Sequence, residues 1–244
     1  IDKTVVDEIN RIDKNHDAKV YVIGGENAVN PAAVEKLKAM GYKAAGIERI
    51  SGETRYQTAI ELAKQTPGAK TAYIAFGLNY PDALGAGSAA ALNDGVILFT
   101  ETDRLIPDTA AYLKSAKFEK IVIVGGESAV SAAVEKELKG VCADVSRLSG
   151  ENRVLTSLEV AKKYFPKTDV IFAATGLNFA DALAGGPLAA KFEGPMLLLD
   201  TKKNELDAAT LSYIKSSGAK KIVVLGGENA VSPQLFDSLM DAVK

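Results

Sequence analysis

Short apolar runs alternate with longer amphipathic stretches along this chain. The runs are Val20–Ile23, Thr71–Phe76, Val96–Phe99, Ile121–Val124, Val170–Ala174, Met196–Leu199 and Ile222–Leu225. They are nearly all apolar, the pattern of strands covered on both faces in a parallel sheet. Between them, apolar residues recur every three or four positions, which predicts helices. These cover Pro31–Met40, Thr54–Lys64, Pro81–Leu92, Pro107–Lys114, Ala132–Lys139, Arg153–Tyr164, Ala180–Phe192, Leu206–Lys215 and Pro233–Val243. Asn30-Pro31 and Ser232-Pro233 set a capping side chain ahead of a proline in the first helical turn, and Ser131 takes the same place mid-chain. Such alternation predicts α/β layers with right-handed crossovers.

The pattern repeats. VYVIGGENAV from Val20, IVIVGGESAV from Ile121 and IVVLGGENAV from Ile222 set Gly24, Gly125 and Gly226 at intervals of 101 residues. Arg49–Arg55 (RISGETR) returns as Arg147–Arg153 (RLSGENR), and Gly77–Leu84 (GLNYPDAL) as Gly176–Leu183 (GLNFADAL). A fixed period of this size means that one structural unit is duplicated. Since the last two phrases occur only twice, roughly two and a half units are expected. Residues 1–45 would be the last part of a first unit, 46–144 a second and 145–244 a third, cut from a longer parent. No linker rich in Pro, Gly or Ser separates them, so close packing is expected.

Composition narrows the chemistry. The net charge is −2, from 29 basic and 31 acidic residues, which leaves no overall footprint for nucleic acid. No apolar run approaches the roughly 18 residues needed to span a bilayer. The one cysteine, Cys142, rules out an intrachain disulfide. The one histidine, His16, lies in a polar stretch and reads as solvated. One His and one Cys argue against a zinc site and against Ser-His-Asp or Cys-His catalysis. No catalytic residue, metal or cofactor is therefore expected.

Each repeated phrase has two readings. The double glycine either lets the chain turn tightly off the sheet or offers backbone N–H groups to an anion. Asn79 with Asp82, and Asn178 with Asp181, either cap helices or contact a hydroxylated ligand above the carboxyl edge of the sheet. Arg49, Arg55, Arg147 and Arg153 flank the turns at Ser51 and Ser149. A guanidinium fork suits phosphate or carboxylate, and it suits buried carbonyls equally.

Taken together, the phrases resemble the type-2 cell-wall-binding repeat of Gram-positive surface proteins, clostridial cell wall proteins above all. That family's pattern runs Arg-Ile-Ser-Gly-x-x-Arg-Tyr-x-Thr-Ala, Gly-x-Asn-x-x-Asp-Ala-Leu, an apolar Pro-x-Leu-Leu strand and Gly-Gly-x-x-Ala-Val. Arg49–Ala59 matches it closely, with Tyr56 and Thr58 in place. The next copy carries Val154 and Ser157 where the pattern has Tyr and Ala, and Gly95 stands where the later copy has Pro195. The resemblance implies Toprim-like or Rossmann-like units with mostly parallel sheets in a pseudo-symmetric arrangement. It also implies a non-catalytic anchor at the extracellular cell surface, holding an anionic wall glycopolymer, with peptidoglycan as a second candidate. The ligand-binding residues would be Arg49, Ser51, Arg55, Asn79, Asp82, Arg147, Ser149, Arg153, Asn178 and Asp181. Repeated weak contacts along one polymer would raise retention roughly 10²- to 10⁴-fold. The alternative is a part of an N-acetylmuramoyl-L-alanine amidase or of its modifier. Self-association through a sheet edge left open by the partial first unit is a further expectation.

Overall fold

A computed structural model describes residues 1–243, in two compact units, residues 1–65 and residues 66 onward. The first unit runs α1 (Lys3–Ile12), β1 (Val20–Ile23), α2 (Pro31–Ala39), a 3₁₀ turn (Ala44–Gly46), β2 (Ile47–Ile50) and α3 (Arg55–Ala63). Its two strands pair in parallel, Val22 opposite Arg49. Val22, Leu37 and Tyr42 form the centre of its small core, with Ile9, Val20, Val29, Val34, Met40 and Ile47 packed around them. His16 is half buried, edge-on to Tyr42 with ring centroids 5.0 Å apart, and its Nε2 lies 2.8 Å from Asn10 Oδ1. The solvated reading of this residue is thus corrected: Tyr42 turns inward to bond Asp13 and gives the imidazole a flank to rest on.

The second unit runs β3 (Thr71–Phe76), α4 (Pro81–Leu92), β4 (Gly95–Thr100), α5 (Pro107–Ala116), β5 (Lys120–Val124), α6 (Ala132–Lys139), β6 (Val145–Leu148) and α7 (Arg153–Tyr164). It continues with β7 (Val170–Thr175), α8 (Ala180–Lys191), β8 (Met196–Leu199), α9 (Ala208–Ser217), β9 (Lys221–Leu225) and α10 (Pro233–Ala242). Two parallel sheets result, in the orders β4-β3-β5-β6 and β8-β7-β9. All-apolar strands such as Ile121–Val124, fully buried, need helices on both faces, and the alternating helices supply them.

Helices α4 and α7 join the two sheets. One side of α4 buries Ala86, Ala89 and Ala90 against Tyr73, Val122 and Val124 of the first sheet. Its Leu84 packs with Phe172, Ala174, Met196 and Leu198 of the second. Close approach requires small residues: a Cβ on Gly85 would lie 2.9 Å from Ser157 Cβ of α7. Ser157, where the family pattern has Ala, is buried, donates to Val154 O (2.7 Å) and accepts from the Leu198 amide (3.0 Å). That amide points outward from edge strand β8, so the hydroxyl satisfies a backbone donor that would otherwise be buried without a partner.

Strands β2 and β6 and helix α1 were absent from the sequence reading. Ile47-Glu48-Arg49-Ile50 and Val145-Ser146-Arg147-Leu148 each set two polar residues between apolar ends and are only partly buried, so they fall outside an all-apolar template. In consequence β6 hydrogen-bonds with β5, although its sequence opens the next copy of the repeat.

Candidate functional site at the carboxyl edge

Every strand that carries the double-glycine phrase turns at its carboxyl end. Gly24, Gly125 and Gly226 have φ of +113°, +122° and +107°, a region that excludes most side chains. The next glycine's carbonyl accepts two amides, from Ala28 and Val29, Ala129 and Val130, or Ala230 and Val231. The Gly24 and Gly125 amides donate to Ile50 O and Leu148 O, each at 2.9 Å.

The arginines separate into two kinds. Arg49 donates from Nη1 to Gly24 O (2.6 Å) and from Nη2 to Val29 O (3.1 Å). Arg147 donates from Nη1 to Gly125 O (2.7 Å), and its Nε and Nη2 both reach Glu135 Oε2, at 3.0 and 2.7 Å. These strand arginines are clamps on the glycine turns. Arg55 and Arg153 instead begin helices α3 and α7. Arg153 Nη1 donates to Gly176 O (2.8 Å), and its remaining N–H groups have no partner among the described residues.

The Ser-Gly turns are closed from within. Gly52 N donates to Thr58 Oγ1 (3.0 Å) and Gly150 N to Thr156 Oγ1 (3.1 Å), so the threonines of the phrase tie each turn to its helix. Ser51 and Ser149, at the strand exits, are half buried.

The acids sit over the glycine turns. A Cβ on Gly125 would lie 2.6 Å from Asp82 Oδ2, and one on Gly226 would lie 2.7 Å from Asp181 Oδ2. Both acids lie in the first turns of their helices, α4 and α8. Burial pushes the Asp82 carboxyl up to about 6, partly offset by the nearby Arg153 guanidinium. Asn79 and Asn178 stand one residue outside the structural N-caps, Tyr80 and Phe179. Asn79 Oδ1 accepts from Tyr80 N (3.0 Å) and Asn178 Oδ1 from Ala180 N (3.3 Å), which leaves both Nδ2 groups unpartnered among the described residues. Tyr80 and Phe179 meet edge-on, centroids 5.2 Å apart, and Tyr80 Oη donates to Leu177 O (3.2 Å), so the two Gly-Leu-Asn loops come together.

In the second unit the structure thus unites Asp82, Gly125, Arg147, Arg153 and Gly176. Glu135, Tyr80, Phe179, Thr156 and Ser157 belong to the same neighbourhood and were missed. The threonines had a signal, since they recur in step; Glu135 had none, because Val34 and Phe236 occupy its place in the other copies. Among the described residues no group of three or more His, Cys, Asp or Glu could hold a metal ion. No helix among them is long and apolar enough to cross a membrane.

Repeated parallel layers that turn on the same double glycine at each carboxyl edge define a repeat-built module. The chain belongs to the cell wall binding domain 2 family, whose sequence profile matches residues 49–135 and 147–236. It is 34% identical over 194 residues to the N-acetylmuramoyl-L-alanine amidase LytC of Bacillus subtilis (strain 168), covering 79% of this chain and 38% of that protein. It is 30% identical over 223 residues to the amidase enhancer of the same organism, covering 91% of this chain and 30% of that one. The chain therefore spans about a third of the length of these curated relatives. Among solved structures, Cwp8 from Clostridium difficile superposes with a TM-score of 0.81 at 29% identity, over 94% of this chain and 39% of that one. Cwp6 from the same organism gives 0.73 at 26%, over 79% and 31%. The α/β fold of repeated, parallel units and the cell-wall-binding assignment stand on these matches.

Proposed function

We propose that this chain attaches its parent protein to the wall of a Gram-positive cell by gripping an anionic secondary wall polymer. The observation that carries the reading is the twofold match to a cell-wall-binding family along one chain. The geometry supports a division of labour within it. Arg49 and Arg147 use their forks on their own chain and shape the turns. Arg153, with spare donors, and the Nδ2 groups of Asn79 and Asn178 face the polymer, and the Asp82 carboxylate sets the orientation of Arg153. Arg55 and Asp181 hold the corresponding places in the other copies, with Ser51 and Ser149 at the strand exits beside the arginines. Several such contacts in series retain a polymer that one contact would release.

The two curated relatives are an amidase and an amidase enhancer. We assign attachment, rather than hydrolysis, to the residues they share with this chain. The test is sedimentation with purified sacculi, intact and acid-extracted, at low and high salt. Binding should fall on extraction and with salt, because exposed charge contacts are screened. Arg153→Ala should weaken it further while circular dichroism remains that of the parent. Equal sedimentation with stripped wall would transfer the target to peptidoglycan and overturn the anionic-polymer reading.

A further inference from the structure

The sheet β8-β7-β9 carries a cavity outside the glycine turns. It has a volume of about 330 Å³ and opens at the carboxyl end of β8, between the first turns of α7 and α9. Ligands of open α/β sheets collect at this edge, in clefts of roughly 300–1,000 Å³. The floor is apolar: Leu199 and Leu235 are buried, and Leu155 and Leu206 are half buried beside them. The rim is polar, with Asn152, Asp200 and Glu205.

The middle copy is built differently at this point. Its β4–α5 connection, residues 101–106, is held by Thr100 Oγ1 donating to Arg104 O (2.9 Å), and it ends on the buried Leu105 and Ile106. The β8–α9 connection, residues 200–207, has eight residues against six, and Asp207 stands 101 positions after Ile106. Asp207 uses both carboxyl oxygens on Thr210, accepting from its amide (2.9 Å) and its hydroxyl (2.6 Å). A helix cap thus replaces the apolar side chain that ends the shorter connection, and Leu206 stays half buried where Leu105 is buried.

The rim offers hydrogen bonds more than charge. Asp200 Oδ1 accepts from the Lys202 amide (3.3 Å), and its Oδ2 lies 3.6 Å from Lys203 Nζ, so its charge is matched while lone pairs stay free. Asn152 Oδ1 caps α7 through the amides of Val154 and Leu155 (3.0 and 3.1 Å), which leaves its Nδ2 to donate outward. Glu205, exposed and without a partner among the described residues, adds a further acceptor. An apolar floor under separated donors and acceptors suits a sugar ring, whose C–H face is apolar and whose edge carries hydroxyls. The two rim carboxylates repel phosphate or uronate, so the charged link of a polymer is kept outside. Arg153 is next to the cavity: a Cβ on Gly176 would lie 3.2 Å from Arg153 Cδ and 3.3 Å from the carbonyl oxygen of Leu199, a cavity wall. We propose, building on the polymer reading above, that this cavity holds an uncharged pyranose unit of the wall polymer, beside the anionic link gripped by Arg153.

The probe is methyl β-D-glucopyranoside, with methyl β-D-glucosaminide as a cationic arm and glycerol phosphate as an anionic one. Methyl NMR signals of Leu155, Leu199, Leu206 and Leu235 report on the cavity in the whole chain. The neutral glycoside should shift them saturably, with a Kd in the millimolar range expected of so small a ligand. Ala209→Phe fills the mouth from the first turn of α9 and should abolish the shifts. Asp200→Ala removes one acceptor and should weaken binding about fivefold. Unfolding midpoints near the parent's certify that both variants fold. Leucine signals unmoved by the neutral glycoside, in a chain that still sediments with sacculi, would overturn the cavity proposal and leave the anchor standing. Binding of the glucosaminide about tenfold more tightly, or of glycerol phosphate at the same leucines, would overturn it by making this a site for a charged group. Shifts by the glycoside in a chain that does not sediment with sacculi would support a sugar site and overturn the polymer reading instead.

Discussion

Replacing Arg147 by alanine should destabilise the second unit without touching the ligand. The side chain is 15% exposed, Glu135 is 22% exposed, and three donor contacts join the guanidinium to Glu135 and to Gly125 O. Removing one partner of a fully buried pair costs about 3–5 kcal/mol, and one hydrogen bond to a charged group is worth about 1.5–3 kcal/mol. Water reaches this pair and Glu135 retains its bond to Lys139, which places the loss near the lower figure, at about 2–3 kcal/mol. For a unit of this size that lowers Tm by about 5–10 °C. Arg147→Lys restores charge without the fork and should recover only part of the loss. A double-mutant cycle with Glu135→Gln, read from urea unfolding, should give a coupling of about 1 kcal/mol. Sedimentation of the folded Arg147→Ala chain with sacculi should match the parent. A variant within about 0.5 kcal/mol of the parent that nevertheless loses wall binding would refute the clamp and return Arg147 to the ligand.

Asp82→Asn should stabilise the chain at pH 7. Burial pushes the folded carboxyl up to about 6, above the roughly 3.9 of a free aspartate, so the native state holds the extra proton and stability falls as pH rises between those values. The shift corresponds to about 3 kcal/mol at 1.36 kcal/mol per unit; residual solvation reduces the expected gain to about 2 kcal/mol, and urea titrations should show it vanish below about pH 4. Glu135 titrates below its ordinary value because Lys139 and Arg147 bond it, so its contribution is present above the unfolded carboxyl range, near 4.3, and is lost as pH falls through the lower folded value. Gly125→Ala should lose about 2 kcal/mol or more, from its φ of +122° and from collision with Asp82, and Asp82→Ala should rescue only the collision. Ser157→Ala should cost about 1–2 kcal/mol by orphaning the Leu198 amide, measurable by denaturant unfolding, whereas an unchanged midpoint would mean that water replaces the hydroxyl.

The seven apolar strands were legible from their unbroken apolar runs; burial on both faces explains this for β3, β5, β7 and β8, whereas β1 stays apolar although Tyr21 and Ile23 are exposed. The helices between them were legible from their periodicity and from Asn30, Ser131 and Ser232, each of which caps its helix as read. Edge strands β2 and β6 were not, since solvent on one side dilutes their apolar content, and α1 was not, since no apolar strand precedes it and Val5 and Ile12 stay exposed. At the site, the sequence located the residues but not their targets. Arg147 and Arg153 look alike in a phrase, and only strand register and helix position show that the first turns inward to Gly125 while the second keeps donors in reserve. Ser157 was visible as a departure from the family pattern; its use became apparent only once β8 was seen to be an edge.

The seam between the two sheets of the second unit has a mechanical meaning. Helix α7 follows β6 of one sheet directly in the chain, yet its Ser157 is bonded into β8 of the other, and α4 packs on both. Tension on a surface-bound protein would therefore be shared by interlocked helices in shear, rather than fall on a peptide tether between beads. Stretched in a force spectrometer, the two sheets should give way in one rip instead of two, and Ser157→Ala should lower the force of that event.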